Sequence, residues 1–366
     1  EDERPFSMRR GDIPVIDDTF LAEHDVVLRD YQVQMVNAAL QCQRGIVKCP
    51  TGGGKTLIAL AVVKALQSVH DYPTLLLFRN RALVEQTYEV FNKHGLDGKV
   101  GRLSMDHEET GKLITCATVQ SLAKLPQLQK STQVLIADEV HQFSSDLSLE
   151  ALEQFENAFF RVGFSATPFR SSVVHRYRVM SGFGPVLTTL TTRQLTEQQV
   201  LAPATAHFYQ VAAPVDLSAL SFQRAETEGI ANNPYLTQSI VRLVRDRIHE
   251  GRILLLVKRL QQGDTLAKLI PDALWVRGED NAQTRKLIID QLKSSEKKKV
   301  VAIMSSIGNV GLDVMVHHLV NCSGGSSPSL TIQKLGRGLR RGVDKQHLQY
   351  HDFYHLSNDH LRRHSE

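Results

Sequence analysis

The sequence is poor in cysteine, in aromatic side chains and in long apolar runs. Its four cysteines, Cys42, Cys49, Cys116 and Cys322, are scattered with no C-x-x-C pair, which argues against a zinc site or a disulfide framework and for reduced thiols. No apolar stretch approaches the roughly 20 residues that span a bilayer, and the opening EDERPFSMRR is too polar for a secretion signal. A non-secreted protein is expected, working in a cytoplasm, its own cell's or a host's. A charge excess is missing too: 43 Lys and Arg against 39 Asp and Glu leave +4, with a pI near 8.8. That balance permits a nucleic-acid partner without requiring one. The fifteen histidines show no ligand spacing. Aromatics make up 6% of the chain and form no stacking ladder, so any nucleic acid would be held by its backbone rather than read by its bases.

What is present is an ordinary globular composition, 42% hydrophobic and 22% charged over 366 residues, a length suited to two domains of roughly 150 to 200 residues. Short β-rich runs alternate with helical patterns, the mark of parallel α/β sheets. Strands are expected at residues 45–49, 74–78, 113–116, 134–137 and 161–164, with helices at 55–68, 82–93 and 119–125. The rhythm restarts with strands at 253–257, 273–276, 300–304 and 319–321 and helices at 264–269, 282–293 and from 330. Between 191 and 233 it lapses around Pro203 and Pro214, which places the junction there. The expected division is a short extension, 1–27, then domains 28–200 and 201–366.

The run VKCPTGGGKT, 47–56, is nearly the phosphate loop G-x-x-x-x-G-K-[ST], with Cys49 where the first glycine belongs. A strand before it and a helix former after it suit a polyphosphate cradle formed by Pro50, Thr51, Gly52, Gly53 and Gly54. Lys55 would reach the β- and γ-phosphates and Thr56 would offer its hydroxyl to Mg²⁺. The bland alternative is a flexible turn followed by a chance Lys-Thr. The pattern VLIA then Asp138-Glu139-Val140-His141 favours the nucleotide site. Asp138 ends a strand where a magnesium ligand is needed, and Glu139 can polarise an attacking water.

DEVH (138–141), SATP (165–168) and QKLGRGLR (333–340) resemble motifs II, III and VI of superfamily 2 helicases and translocases. LRDYQ (28–32), FRNRALVEQ (78–86), TCATVQSL (115–122), LLLVKRLQQGDTLA (254–267), VRGED (276–280) and MSSIGNVGLDV (304–314) resemble the remaining motifs in their usual order. The nearest likeness is to the branch holding XPB, UvsW-like phage helicases and type I restriction translocases. The resemblance implies two tandem RecA-like domains, each a mostly parallel sheet flanked by helices, with ATP in the cleft between them. It implies an ATP hydrolase using ATP and Mg²⁺, with Gln32 reading adenine, Gln333, Arg337 and Arg340 completing the catalytic set, and Gly311 and Asp313 coupling nucleotide to the second domain. His141, Ser165 and Thr167 would relay between the domains. The i, i+3 spacing of Arg337 and Arg340 puts both guanidinium groups on one helix face, fit for a γ-phosphate or for nucleic-acid phosphates. The expected grips on a strand backbone are Arg79, Asn80, Arg81, Thr118, Gln120, Lys258, Arg259, Arg277, Ser305 and Ser306. A monomeric helicase on single-stranded, forked or branched DNA is expected, in replication, recombination or repair. A duplex translocase and an RNA helicase are the alternatives.

Overall fold

The computed structural model describes residues 13–122, 126–169, 172–277, 280, 299–305, 316–323, 347–356 and 358–362. The chain divides into two compact units, Glu1–Gln194 and Leu195–Glu366. The division falls inside the helix Thr192–Glu197 rather than after Val200.

In the first unit seven strands form one sheet: β1 (Arg44–Lys48), β2 (Thr74–Phe78), β3 (Val100–Leu103), β4 (Ile114–Thr118), β5 (Val134–Asp138), β6 (Phe160–Ser165) and β7 (Val186–Thr189). Their order is β3-β4-β2-β5-β6-β1-β7, and each pairing is parallel. Parallel strands need a crossover, and the helices Lys55–Gln67, Arg81–Phe91 and Val173–Phe183 lie on such connections. Local chemistry sets where they start: Asn80 accepts the Leu83 N–H at 3.0 Å, and Ser172 accepts that of His175 at 3.4 Å. The core is mainly apolar, with Ile46, Leu75, Leu135, Val140, Phe155 and Phe183 buried together.

The second unit repeats the plan with β8 (Ala204–Gln210), β9 (Ile253–Val257), β10 (Leu274–Val276), β11 (Val301–Ser305), β12 (His318–Asn321) and β13 (Leu348–Tyr354), ordered β10-β11-β9-β12-β13-β8. All its pairings are parallel as well. Pro234 stands at the first position of the helix Pro234–Arg247, capped by Asn233.

The expected α/β alternation is therefore present in both halves. Four strands escape the sequence pattern: β3, β7, β8 and β13. Three are half exposed or interrupted, as in VGRL and ATAHFYQ. β13 reads LQYHDFY because paired polar side chains are buried in it beside the apolar Leu348 and Phe353. The helix expected at 264–269 starts at Leu260. The expected helices at 282–293 and from 330 lie outside the described residues.

Candidate functional site

Strand order brings the motif-bearing ends together. β6 lies between β5 and β1, with Lys48 beside Ser165 and Asp138 beside Phe164. The glycine loop, DEVH and SATP therefore leave three adjacent parallel strands at their C-terminal ends, where open α/β sheets bind ligands.

Cys49 lies just past β1, fully buried, and its N–H donates to the Ser165 carbonyl at 3.0 Å. Its backbone is not among the positive-φ positions, so a side chain is tolerated where the strict motif has glycine. Burial raises its thiol to about 11, which leaves it protonated and unreactive. The loop turns through Gly52 (φ +86°) and Gly54 (φ +83°). A Cβ on Gly54 would meet the Gln32 amide nitrogen at 2.2 Å, so that position demands glycine twice over. The helix Lys55–Gln67 follows, and its first-turn N–H groups have no intrahelical acceptor. Gly53 is braced from behind: its carbonyl accepts from the Tyr31 hydroxyl and from Gln32 Nε2, both at 3.2 Å. The other end of the Gln32 carboxamide accepts the Arg29 N–H at 2.9 Å. The side chain expected to face a base is thus 1% exposed and committed at both ends inside the protein.

Lys55 Nζ lies 3.6 Å from Glu139 Oε1. The other Glu139 oxygen accepts from the Ser165 hydroxyl at 3.2 Å and lies 3.3 Å from His141 Nδ1. That imidazole is 3.1 Å from Ser165 Oγ, which also accepts the Thr167 N–H at 3.2 Å. Burial alone would raise Glu139, yet Lys55 first, then His141 and Ser165, hold it down near 2. Asp138 goes the other way, to about 6, through burial and the neighbouring Glu139 charge, offset by Lys55. Lys55 is itself raised: burial opposes its charge, but Glu139 and Asp138 prevail. Two adjacent carboxylates driven apart in this way suit different tasks.

Asp138 Oδ1 is buried without a hydrogen-bond partner, an arrangement that costs free energy unless something binds there. With the Thr56 hydroxyl on the first helical turn, the donors are hard oxygens, as Mg²⁺ prefers. Among the described residues no cluster of three or more His, Cys, Asp or Glu could cage a metal by itself. Pro50 is buried, and Thr51 and Thr56 are partly exposed.

Two contributors carry no motif signal. His175 Nε2 lies 2.9 Å from the His141 carbonyl and pins DEVH from the helix Val173–Phe183. Gly163 in β6 lets Val140 approach so closely that a Cβ would lie 2.2 Å from Val140 Cγ1. Thr167 Oγ1 is buried without a partner.

Each described grip residue falls on or just after a strand's C-terminal end. Arg79, Asn80 and Arg81 follow β2, and Thr118 ends the neighbouring β4 with Gln120 just beyond. Arg79 and Gln120 are exposed, and Arg81 pairs with Asp106 at 2.5 Å. Asn80 caps its helix. Thr118 and Ser305 differ from surface contacts: Thr118 is 4% exposed and bonded to Ser121 at 2.7 Å, while Ser305 is 1% exposed with its hydroxyl unpartnered. Both end strands whose side chains all point into packed layers. Lys258 and Arg259 follow β9 and share Glu226. Arg277 follows β10 and pairs with Asp264 at 2.7 Å. Ser306, Gly311, Asp313, Gln333, Arg337 and Arg340 lie outside the described residues.

A glycine loop between strand and helix, with a lysine facing a carboxylate pair on the second strand over in an all-parallel sheet, defines a phosphate-loop nucleotide-binding protein. Comparison with known proteins narrows the class. Residues 25–170 match the model described as type III restriction enzyme, res subunit, and residues 236–342 match the helicase conserved C-terminal domain. The chain belongs to superfamily 2 of the helicase ATPases. It is 32% identical over 182 residues to the DNA 3'-5' translocase XPB2 of Sulfurisphaera tokodaii, covering 49% of this chain and 39% of that one. It is 26% identical to the DNA 3'-5' helicase XPB of Kineococcus radiotolerans, covering 87% and 58%. To the ATP-dependent DNA helicase uvsW of Enterobacteria phage T4 it is 21% identical, covering 86% and 66%. The chain thus spans less than two thirds of these relatives' own lengths. A fragment of a candidate HsdR subunit of a type I restriction enzyme from Vibrio vulnificus shares the fold. It aligns with TM-score 0.72 at 21% identity, over 92% of this chain and 66% of that one.

Proposed function

We propose that the protein is an ATP-dependent DNA helicase that couples hydrolysis to translocation and to unwinding or branch migration of forked or branched DNA. The observation that carries this reading is the Lys55–Glu139–Ser165–His141 cluster beside the unpartnered Asp138 oxygen. Lys55 would bind the β- and γ-phosphates, and Glu139, ionised through its partners, would accept a proton from the attacking water. Asp138 and Thr56 would hold Mg²⁺, which supplies charge neutralisation at the phosphates. Ser165 and His141 touch both Glu139 and each other, so they are placed to pass a change at the phosphates into SATP. By family resemblance Gln333, Arg337 and Arg340 complete the ATP site, and Gly311 and Asp313 couple it to the second unit. DNA as partner, and work in replication, recombination or repair, rest on the printed names of the relatives. A duplex translocase that leaves the strands paired is the second reading, favoured by the translocase XPB2 match.

The test is ATPase stimulation and unwinding across single-stranded, duplex, forked and four-way DNA, with RNA duplex as control. Fork-stimulated turnover with strand separation is the expected result. Stimulation with triplex displacement but no unwinding would establish the translocase, and absence of turnover would overturn both.

A further inference from the structure

In the second unit the two cations after β9 are not independent. Lys258 Nζ lies 2.5 Å from Glu226 Oε1, and Arg259 Nη2 lies 3.3 Å from Glu226 Oε2. The carboxylate is 5% exposed, whereas the Lys258 and Arg259 side chains are 47% and 49% exposed. The Lys258 ammonium also sits 5.8 Å from the Phe222 ring centroid, one turn before Glu226 on the same helix, so two contacts hold its position. Glu226 comes from the short helix Phe222–Glu226, far from β9 in sequence. No motif of the sequence includes it.

One carboxylate against two cations leaves the cluster at +1, the charge that a single phosphodiester neutralises. A buried carboxylate stripped of its partners is costly, so the cations stay on Glu226 when a ligand arrives and do not exchange partners. Their unused donors remain available: an ammonium has three N–H groups and a guanidinium has five. Both cations stand at the C-terminal edge of β9, where Ser305 ends the adjacent β11 and Arg277 follows β10. Free lysine and arginine side chains carry rotamer entropy, which a phosphate must otherwise freeze by itself.

We infer that Glu226 is a positioning residue that tethers Lys258 and Arg259 as a pre-set fork for one backbone phosphate of the nucleic acid. The inference rests on the nucleic-acid motor reading above. The alternative, a carboxylate that imitates phosphate and must be displaced, predicts the opposite sign. Glu226→Gln adds one unit of positive charge to the fork, so a competing carboxylate, once neutralised, gives tighter binding. A tether, once neutralised, gives weaker binding despite the added charge.

The measurement is fluorescence anisotropy of a fluorescein-labelled DNA fork with single-stranded arms, titrated with the full chain over a range of salt. K258A/R259A is expected to weaken binding and to flatten the log–log salt dependence by about 1, as loss of one phosphate contact does. E226Q is expected to weaken binding about three- to tenfold, and to add nothing in the K258A/R259A background, the non-additivity of groups that act together. Glu226→Asp keeps the buried charge, withdraws it by one methylene, and is expected to weaken binding less than E226Q. It carries the test if E226Q does not fold. Tighter binding by E226Q, unchanged binding by both variants, or full additivity with K258A/R259A overturns the inference. If the wild-type chain shows neither salt-dependent fork binding nor fork-stimulated turnover, the motor reading fails and takes this inference with it. If the wild-type chain shows both and the Glu226 variants are neutral, only the tether fails.

Discussion

The two sheets share a plan and differ in what fills them. In the first, the core is mainly apolar, though Arg161 and Thr115 are buried in it, and the clustered polar chemistry sits at the C-terminal ends of β1, β5 and β6. In the second, polar groups run through the interior itself. The Tyr209 hydroxyl lies 2.9 Å from His351 Nδ1, His351 Nε2 lies 3.0 Å from His318 Nδ1, and His318 Nε2 lies 3.2 Å from Glu250. A carboxylate only accepts, so with neutral imidazoles every donor in the chain points toward Glu250: tyrosine to His351, His351 to His318, His318 to the acid. Beside it Asp352 accepts from Asn321 at 3.0 Å and from the Tyr350 hydroxyl at 2.7 Å. One topology thus tolerates two interiors, the second crossed by a chain of hydrogen-bonded side chains.

The contrast between the two sheets can be tested by substitution. The largest effect belongs to the first sheet's edge: Lys55→Ala and Glu139→Gln should each lower ATP turnover by about a thousandfold or more, roughly 4 kcal/mol of transition-state stabilisation. Phosphate release measures it, and normal turnover in either variant would remove the site assignment. Next comes the second sheet's interior. His351→Phe keeps a flat ring but strands His318 Nδ1 and the Tyr209 hydroxyl, so thermal or urea unfolding should show a loss of about 2 kcal/mol. A neutral result would mean that the polar chain contributes nothing over an apolar filling.

The same chain predicts a pH dependence. Burial first, then Arg247 and His317 against the opposing Glu250, pushes His318 down to about 4. Burial, then His318 and His207, pushes His351 to about 3. In the unfolded chain both would take up a proton near about 6.5, so the folded state binds fewer protons below that value. Their contribution to stability is whole above about pH 6.5 and is lost as pH falls toward about 4. Melting temperature should therefore drop between pH 7 and 5, and drop less in H351F. An equal slope in both would place the linkage elsewhere. The smallest effect is expected from Ser165→Ala. It removes one hydrogen bond to Glu139, worth about 1 kcal/mol, and should lower turnover about fivefold with folding intact, as read by paired turnover and melting measurements.

The first sheet was largely legible because its strands are continuous apolar runs and its loops carry chemistry at fixed spacing. GGGKT, DEVH and SATP each follow such a strand, and the structure sets Lys55, His141 and Ser165 each within hydrogen-bonding or ion-pair distance of Glu139. β13 was illegible for the opposite reason: LQYHDFY reads as a polar segment until His207, Tyr209 and His318 are seen to supply the partners of its buried groups. His175 and Glu226 were invisible because their partners are distant in sequence and their spacing follows no period.

The two parallel α/β halves, and the side chains with the chemistry for a nucleotide, could be read along the chain. Strand periodicity and loop composition are local properties, readable within a dozen residues. Only the tertiary structure decided that Gln32 braces the loop, that Thr118 and Ser305 are buried, and that one carboxylate holds two exposed cations. Those outcomes depend on which strand ends become neighbours, and strand order is settled by packing across the whole sheet.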